Sequence, residues 1–112
     1  MSELDFVGLA GILLSRWEEF MPSWAPGGKL IGREYTAGSV RGGPGDSFRF
    51  NIEKGAWADF ATGEKGGDMI SLYAAIQGMK NGEAAKRLAD LLNYNLSDAP
   101  YKQQVAPKVT VN

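Results

Sequence analysis

The chain of 112 residues contains neither cysteine nor histidine. It therefore forms no disulfide, builds no thiolate or imidazole zinc site, and offers no Cys or His nucleophile or base. The oxygen donors that remain for a metal include Asp46, Asp59, Glu64 and Asp68, in or near a glycine-rich middle segment. Their spacing matches no calcium loop, and turn or cap roles account for them more simply. We expect no metal, no cofactor and no catalytic residue.

The chain also lacks a charge excess and a long apolar run. It carries 12 Lys+Arg against 13 Asp+Glu, a net charge of −1, so any attraction to nucleic acid must come from a local patch. The longest apolar run, residues 8–14, is too short to cross a membrane. The first residues lack the basic region of a signal peptide. We expect a cytoplasmic protein with no membrane partner and no small-molecule substrate.

Apolar periodicity predicts one N-terminal helix over about residues 4–21, ended by Pro22 and Pro26. Its stripe, typical of a helix that faces a core, comprises Phe6, Leu9, Ala10, Leu13, Trp17 and Phe20.

Strands are predicted in the glycine-rich middle. Residues 29–35 form one candidate strand, and residues 36–46 form a loop. Residues 47–52 alternate strictly between polar and apolar. This pattern places Phe48, Phe50 and Ile52 on one face and Ser47, Arg49 and Asn51 on the other. A hairpin turn at residues 53–55 leads to a partner strand over residues 56–60. The pattern predicts a small antiparallel meander with one buried face.

Two helices are predicted to follow. Asp68 is a suitable N-cap for the first, and Gly78 suits its C-terminal end. The second covers about residues 81–93, with Ala85, Leu88, Ala89 and Leu92 facing inward. Residues 97–112 lack a helical stripe and are expected to be a flexible linker or tail. The expected fold class is α+β, with one domain over residues 1–96.

Cations in the predicted meander indicate a possible interface for single-stranded nucleic acid. Such strands bind where phosphate attraction combines with base stacking on aromatic side chains. The candidate residues are Arg33, Arg41, Arg49, Lys54, Trp57 and Lys65. Periodicity leaves open whether Trp57 is exposed for stacking or packed in the core with the cations merely solvated.

The stretch over residues 55–72, GAWADFATGEKGGDMISL, resembles the end of the zinc-ribbon domain that opens bacterial and phage DNA primases. Residues 46–51 and 82–89 resemble that domain's Pro-Ser-Phe strand and its next helix. The motif at residues 32–35, GREY, is similar to a branch found at the start of prophage and plasmid primase-helicase proteins. The resemblance covers most of residues 6–95.

The chain departs from this family at the metal site. Asp59 and Thr62 stand where zinc-binding members place their last two cysteines, and residues 35–39 offer no Cys or His for the first pair. We therefore expect a zinc-ribbon-like meander without metal, held by packing of Phe48, Phe50, Trp57 and Phe60 against the helices.

The resemblance implies a non-catalytic module of a DNA-replication protein, a primase or primase-helicase. Its expected partners are single-stranded template DNA, bound weakly, and other domains of the same protein. The alternative is a structural or docking module without direct DNA contact, suggested by the negative net charge, the missing zinc site and an acidic first helix. An independent enzyme is a third and poorer interpretation, since the residues for chemistry are missing.

Overall fold

The computed structural model describes residues 6–94, in which four helices accompany a five-stranded antiparallel sheet. Strand order in the sheet follows chain order, so each strand pairs with its neighbour along the chain. The α+β fold with an antiparallel meander is thus confirmed. In chain order the elements are α1 (Phe6–Ser15), α2 (Trp17–Trp24), β1 (Lys29–Ile31), β2 (Glu34–Ala37), β3 (Phe48–Asn51), β4 (Trp57–Asp59), β5 (Glu64–Gly66), α3 (Met69–Gln77) and α4 (Asn81–Leu92).

The N-terminal segment forms two helices, so the prediction of a single helix over residues 4–21 is wrong. The helix breaks at Arg16, whose backbone leaves helical geometry and whose side chain pairs with Glu19 at 2.7 Å. Pro22 lies inside α2 rather than ending it. Its missing N–H removes one hydrogen bond, and α2 ends shortly afterwards at Trp24. Residues 4 and 5 lie outside the described residues.

Residues 29–35 also divide into two elements, β1 and β2, where the sequence predicts one strand. Gly32 begins a two-residue hairpin loop and adopts a φ of 62°, a conformation that glycine takes at little cost. β2 then continues to Ala37, so the predicted loop starts two residues later than expected.

The hairpin between β3 and β4 matches its prediction. Asn51 Oδ1 accepts hydrogen bonds from the N–H groups of Glu53 and Lys54, and Gly55 closes the turn with a φ of 83°. The short edge strand β5 was not predicted. Its sequence, Glu-Lys-Gly, carries no apolar alternation from which a strand could be recognised.

Both C-terminal helices begin and end near their predicted residues. The Asp68 carboxylate accepts a hydrogen bond from the Ser71 N–H at 2.8 Å, which confirms the predicted N-cap. Gly78 and Asn93 end α3 and α4 in the left-handed conformation. The predicted tail over residues 97–112 lies outside the described residues.

The helices pack on one face of the sheet. On the other face, which we call the open face, Arg49 is exposed, whereas Thr36 of β2 is buried. Phe48, Phe50 and Trp57 point to the packed face, whereas Arg49 between the two phenylalanines is exposed. The core also contains Leu9 and Leu13 of α1, Leu72 of α3 and Leu88 of α4, among others. Phe60 is 71% exposed, so its predicted place in this core is wrong. Phe60 is the residue after β4, and the alternation of side chains along a strand places it on the open face.

Among the helices within residues 6–94, none combines the length and apolar content that a membrane crossing requires.

Candidate nucleic-acid interface

A row of directly opposed residues crosses the open face of the sheet. The pairing register places Lys29 opposite Thr36, Thr36 opposite Arg49, Arg49 opposite Ala58, and Ala58 opposite Lys65. Residues that face each other across strands project from the same side of a sheet. We call Lys29, Arg49 and Lys65 the cationic row. With strands about 4.8 Å apart, neighbouring cations of the row are about 10 Å apart at the backbone.

The cationic row is neutralised only in part. Arg49 Nη1 lies 3.6 Å from Glu34 Oε1, and Arg49 Nε donates to the Asp46 carbonyl oxygen at 3.4 Å. Within the described part of the chain, neither Lys29 nor Lys65 has a carboxylate oxygen within 4 Å. Two of the three charges therefore remain available to an anionic ligand. The attraction is screened by salt, because all three side chains face water.

An exposed aromatic ring lies at one end of this face. The Phe60 N–H bonds to the Ser47 carbonyl oxygen at 2.8 Å, which extends the pairing of β4 with β3 by one step. Beside Phe60 is a shallow depression of about 270 Å³, which we call the Phe60 depression. Its lining residues are Ala58, Asp59, Phe60, Gly63, Glu64 and Lys65. The face thus combines a large exposed ring with cations.

Trp57 does not serve as the exposed stacking residue that the sequence allowed. Its side chain is only 5% exposed, and its ring centroid lies 6.4 Å from that of Phe48 in the core. The indole Nε1 donates to Ser71 Oγ at 3.0 Å, which satisfies the ring's polar atom inside the fold. Of the two interpretations left open for Trp57, the core position is confirmed.

Arg41 lies away from the open face, at the C-terminal end of α3. Its Nη2 donates to the carbonyl oxygens of Ala75 and Ile76, at 3.2 and 3.1 Å. A cation is favourable there, because the last carbonyls of a helix lack partners and carry partial negative charge. These two hydrogen bonds therefore connect the loop between β2 and β3 to the end of α3.

Replacing Arg41 with alanine is expected to lower the free energy of unfolding by about 1 kcal/mol, because two helix-end carbonyls lose a charged donor. Arg87→Ala is the matched control, since Arg87 makes one exposed pair with Glu83 within α4 and such pairs contribute about 0.3–0.5 kcal/mol. Urea denaturation of both variants measures the difference. Equal losses would contradict the role assigned to Arg41.

Arg33 and Lys54 also lie apart from the cationic row. Arg33 is in the β1–β2 turn and pairs with Glu53 at 3.4 Å across the neighbouring turn. Lys54 borders a separate depression of about 280 Å³, lined mostly by apolar residues of α1 and by the start of α3. Of the six predicted site residues, the structure brings Arg49 and Lys65 to one face.

Within residues 6–94, no three acidic side chains converge on a point where a metal ion could be held. Asp59, one of the four carboxylates considered from the sequence, is buried and 1% exposed. Its oxygens accept hydrogen bonds from the N–H groups of Val40 and Ala61, at 3.3 and 3.0 Å. Asp59 thus connects the β2–β3 loop to the turn that follows β4.

Two residues of the open face were missed from the sequence. Lys29 was placed in a single strand with Tyr35, which hid its register opposite Thr36. Phe60 was assigned to the core together with Phe48, Phe50 and Trp57, as packing that holds the fold in the absence of zinc. The signal that could have found it is the alternation itself, since Trp57 and Asp59 share one face and Ala58 and Phe60 the other.

Comparisons of the chain with protein-family models, curated proteins and solved structures found no match. The resemblance to primase zinc-ribbon domains therefore stays a prediction from the sequence motifs.

Proposed function

We propose that this chain is a non-catalytic, cytoplasmic nucleic-acid-binding module of a phage- or plasmid-type DNA primase or primase-helicase, and that it contacts single-stranded template DNA. The observation that carries the proposal is the open face of the sheet, where the cationic row passes Ala58, two residues along the chain from the exposed Phe60. Cations that track a backbone beside a ring on which bases stack are the two components of single-strand binding.

The primase-like motifs support this proposal independently of the charges. The stretch over residues 55–72 contains β4, β5 and the start of α3, so the resemblance covers the same part of the fold that presents Phe60 and Lys65. Catalysis is not proposed, because the described residues bring no three carboxylates together where they could hold a metal ion, and the chain has no histidine or cysteine. Primer synthesis would require residues of another domain.

Binding to a fluorescein-labelled 12-nucleotide single strand is expected to be weak and sensitive to salt. If three cations neutralise three phosphates, the logarithm of the binding constant should fall with the logarithm of salt concentration with a slope of about −2. Fluorescence anisotropy between 20 and 200 mM salt measures this slope.

The double variant Arg49→Ala with Lys65→Ala is expected to reduce the magnitude of the slope by about 1.4, because two phosphate contacts are lost. A matched control is Lys80→Ala with Lys86→Ala, two exposed lysines near and within α4, which should leave binding unchanged. If the Arg49→Ala, Lys65→Ala variant binds the single strand as tightly as the Lys80→Ala, Lys86→Ala variant does, the open face is not the interface.

A docking module is the second candidate, and α1 is the feature that favours it. The expectation of an acidic first helix is wrong for α1, which contains no charged residue, since Glu18 and Glu19 lie in α2. Val7 of α1 is nevertheless 86% exposed and borders the depression beside Lys54. A helix that is apolar on all sides is usually covered. This function predicts that Val7→Lys weakens association with the remainder of the primase-helicase in a pull-down, and that the wild-type chain shows no binding of the oligonucleotide by anisotropy.

A further inference from the structure

The strand β5 forms an edge of the sheet, since the described part of the chain places no strand beyond it. The Phe60 N–H bonds to the Ser47 carbonyl oxygen, between β4 and β3. Every second pair of an antiparallel ladder bonds in this way, so the next bonded pair is Arg49 with Ala58. Because Ala58 turns its N–H and C=O toward β3, those of Lys65, its neighbour on β5, point to the free edge. Neither group has a hydrogen-bond partner within residues 6–94.

A groove of about 300 Å³ lies beside this edge, between β5 and α3. Gly66 brings the strand and the helix close together, because a side chain there would overlap Ser71 Oγ and the Trp57 indole. An aromatic ring and small or flexible side chains form the apolar part of the groove, namely Trp57, Ala74, Ala75 and Met79. Methionine adapts its shape to what it contacts. The groove can therefore accept an apolar side chain from a segment that lies along β5.

Glu64 adds a negative charge to this groove. The register places it opposite Asp59, on the face of the sheet that the helices cover, and it borders the groove there. Thr62 Oγ1 donates to Glu64 Oε1 at 3.1 Å, but among the described residues no Lys or Arg nitrogen lies within 4 Å of the carboxylate. The neighbouring Lys65 projects from the opposite face. A cation of a binding partner would therefore be attracted to Glu64.

We propose that β5 and this groove bind an extended segment of a partner protein, which adds a sixth strand to the sheet and carries a basic residue and an apolar one. Hydrogen bonds to the Lys65 backbone hold the segment on the edge. The basic residue lies opposite Glu64, and the apolar residue lies opposite Gly66 and enters the groove. The inference does not depend on DNA binding, because the groove and the cationic row lie on opposite faces of the sheet.

A second copy of the chain fits this edge less well. If two β5 strands paired antiparallel through the free backbone groups of Lys65, the two Lys65 side chains would lie directly opposite each other. Like charges in that position destabilise a strand pair. Short, charged edge strands are a common means of preventing self-association. A segment of different sequence avoids this repulsion.

A short peptide of sequence Lys-Thr-Val-Thr-Lys tests the proposal. In either direction along β5 it can place a lysine opposite Glu64 and the valine opposite Gly66. Fluorescence anisotropy of the labelled, end-blocked peptide measures its binding to the full chain at low salt. At saturation the Lys65 amide is expected to exchange its hydrogen about tenfold more slowly, because the added strand bonds it.

Glu64→Lys is expected to weaken binding of this peptide about fivefold, because like charges then face each other. Glu83→Lys on α4 is the matched control, since it changes the net charge equally and should leave binding unchanged. The peptide Glu-Thr-Val-Thr-Glu should reverse the order and bind the Glu64→Lys variant about fivefold more tightly than the wild-type chain.

The outcomes separate this inference from the proposed function. If the first peptide does not bind, or if the Glu64→Lys variant binds it as tightly as the Glu83→Lys variant does, the proposal is wrong and the DNA-binding function stands. A dimer of the wild-type chain in analytical ultracentrifugation that Glu64→Lys dissociates would assign the edge to a second copy, and would also contradict the proposal.

Discussion

Replacing Phe50 with alanine is expected to lower the free energy of unfolding by about 3–5 kcal/mol. Phe50 is fully buried in β3, at the centre of the five-stranded sheet, and faces Tyr35 and Trp57 on the neighbouring strands. Its removal loses the transfer free energy of a large ring and leaves a cavity between two rigid aromatic neighbours. Urea denaturation followed by circular dichroism measures the loss.

Phe60→Ala is the matched control, since it removes the same ring from a position that is 71% exposed. Its free energy of unfolding is expected to stay within about 0.5 kcal/mol of the wild-type value. The pair of variants tests the assignment of the two sheet faces directly. If Phe60→Ala destabilised the chain as strongly as Phe50→Ala, the two faces would be wrongly assigned.

Replacing Asp59 with alanine is expected to lower the free energy of unfolding by about 2–3 kcal/mol. The Asp59 carboxylate is buried and accepts the N–H groups of Val40 and Ala61. Because Val40 is itself buried, its N–H would lose its acceptor without gaining a water molecule. The β2–β3 loop and the turn after β4 would then lose their hydrogen-bonded connection.

Asp59→Asn separates shape from charge at this position. The amide keeps one acceptor oxygen in a side chain of the same size, so we expect about half the loss seen with alanine. Asp46→Ala, an exposed change in the same loop region, should cost less than about 0.5 kcal/mol. A change of less than 0.5 kcal/mol for Asp59→Ala would show that the two hydrogen bonds do not stabilise the fold.

The parts of the fold that local chemistry specifies were predictable from the sequence. Alternation placed Phe48 and Phe50 on one face of β3 and Arg49 on the other. Asp68 and Gly78 marked the ends of α3, because capping depends on a side-chain oxygen and on a left-handed backbone at defined positions. In each case one residue type satisfies a need that arises within a few residues.

The parts that depend on contacts between distant segments were not predictable. Arg41 was assigned to the nucleic-acid interface because nothing nearby in the sequence shows that it reaches Ala75 and Ile76, more than 30 residues away. The cationic row likewise depends on the register of five strands, and the hairpin at Gly32 sets the register of β1 against β2. Because residues 29–35 were predicted as one strand, the position of Lys29 opposite Thr36 was not foreseen.

The most direct test of the proposed interface is a map of the backbone amides that respond to an oligonucleotide. A 12-nucleotide single strand titrated into the ¹⁵N-labelled chain is expected to shift the amide signals of Arg49, Ala58, Phe60 and Lys65 at low salt. The signals of Lys86 and Arg87 on α4 should stay unchanged. Shifts confined to the helices, or no shifts at any oligonucleotide concentration, would contradict binding of single strands by the open face of the sheet.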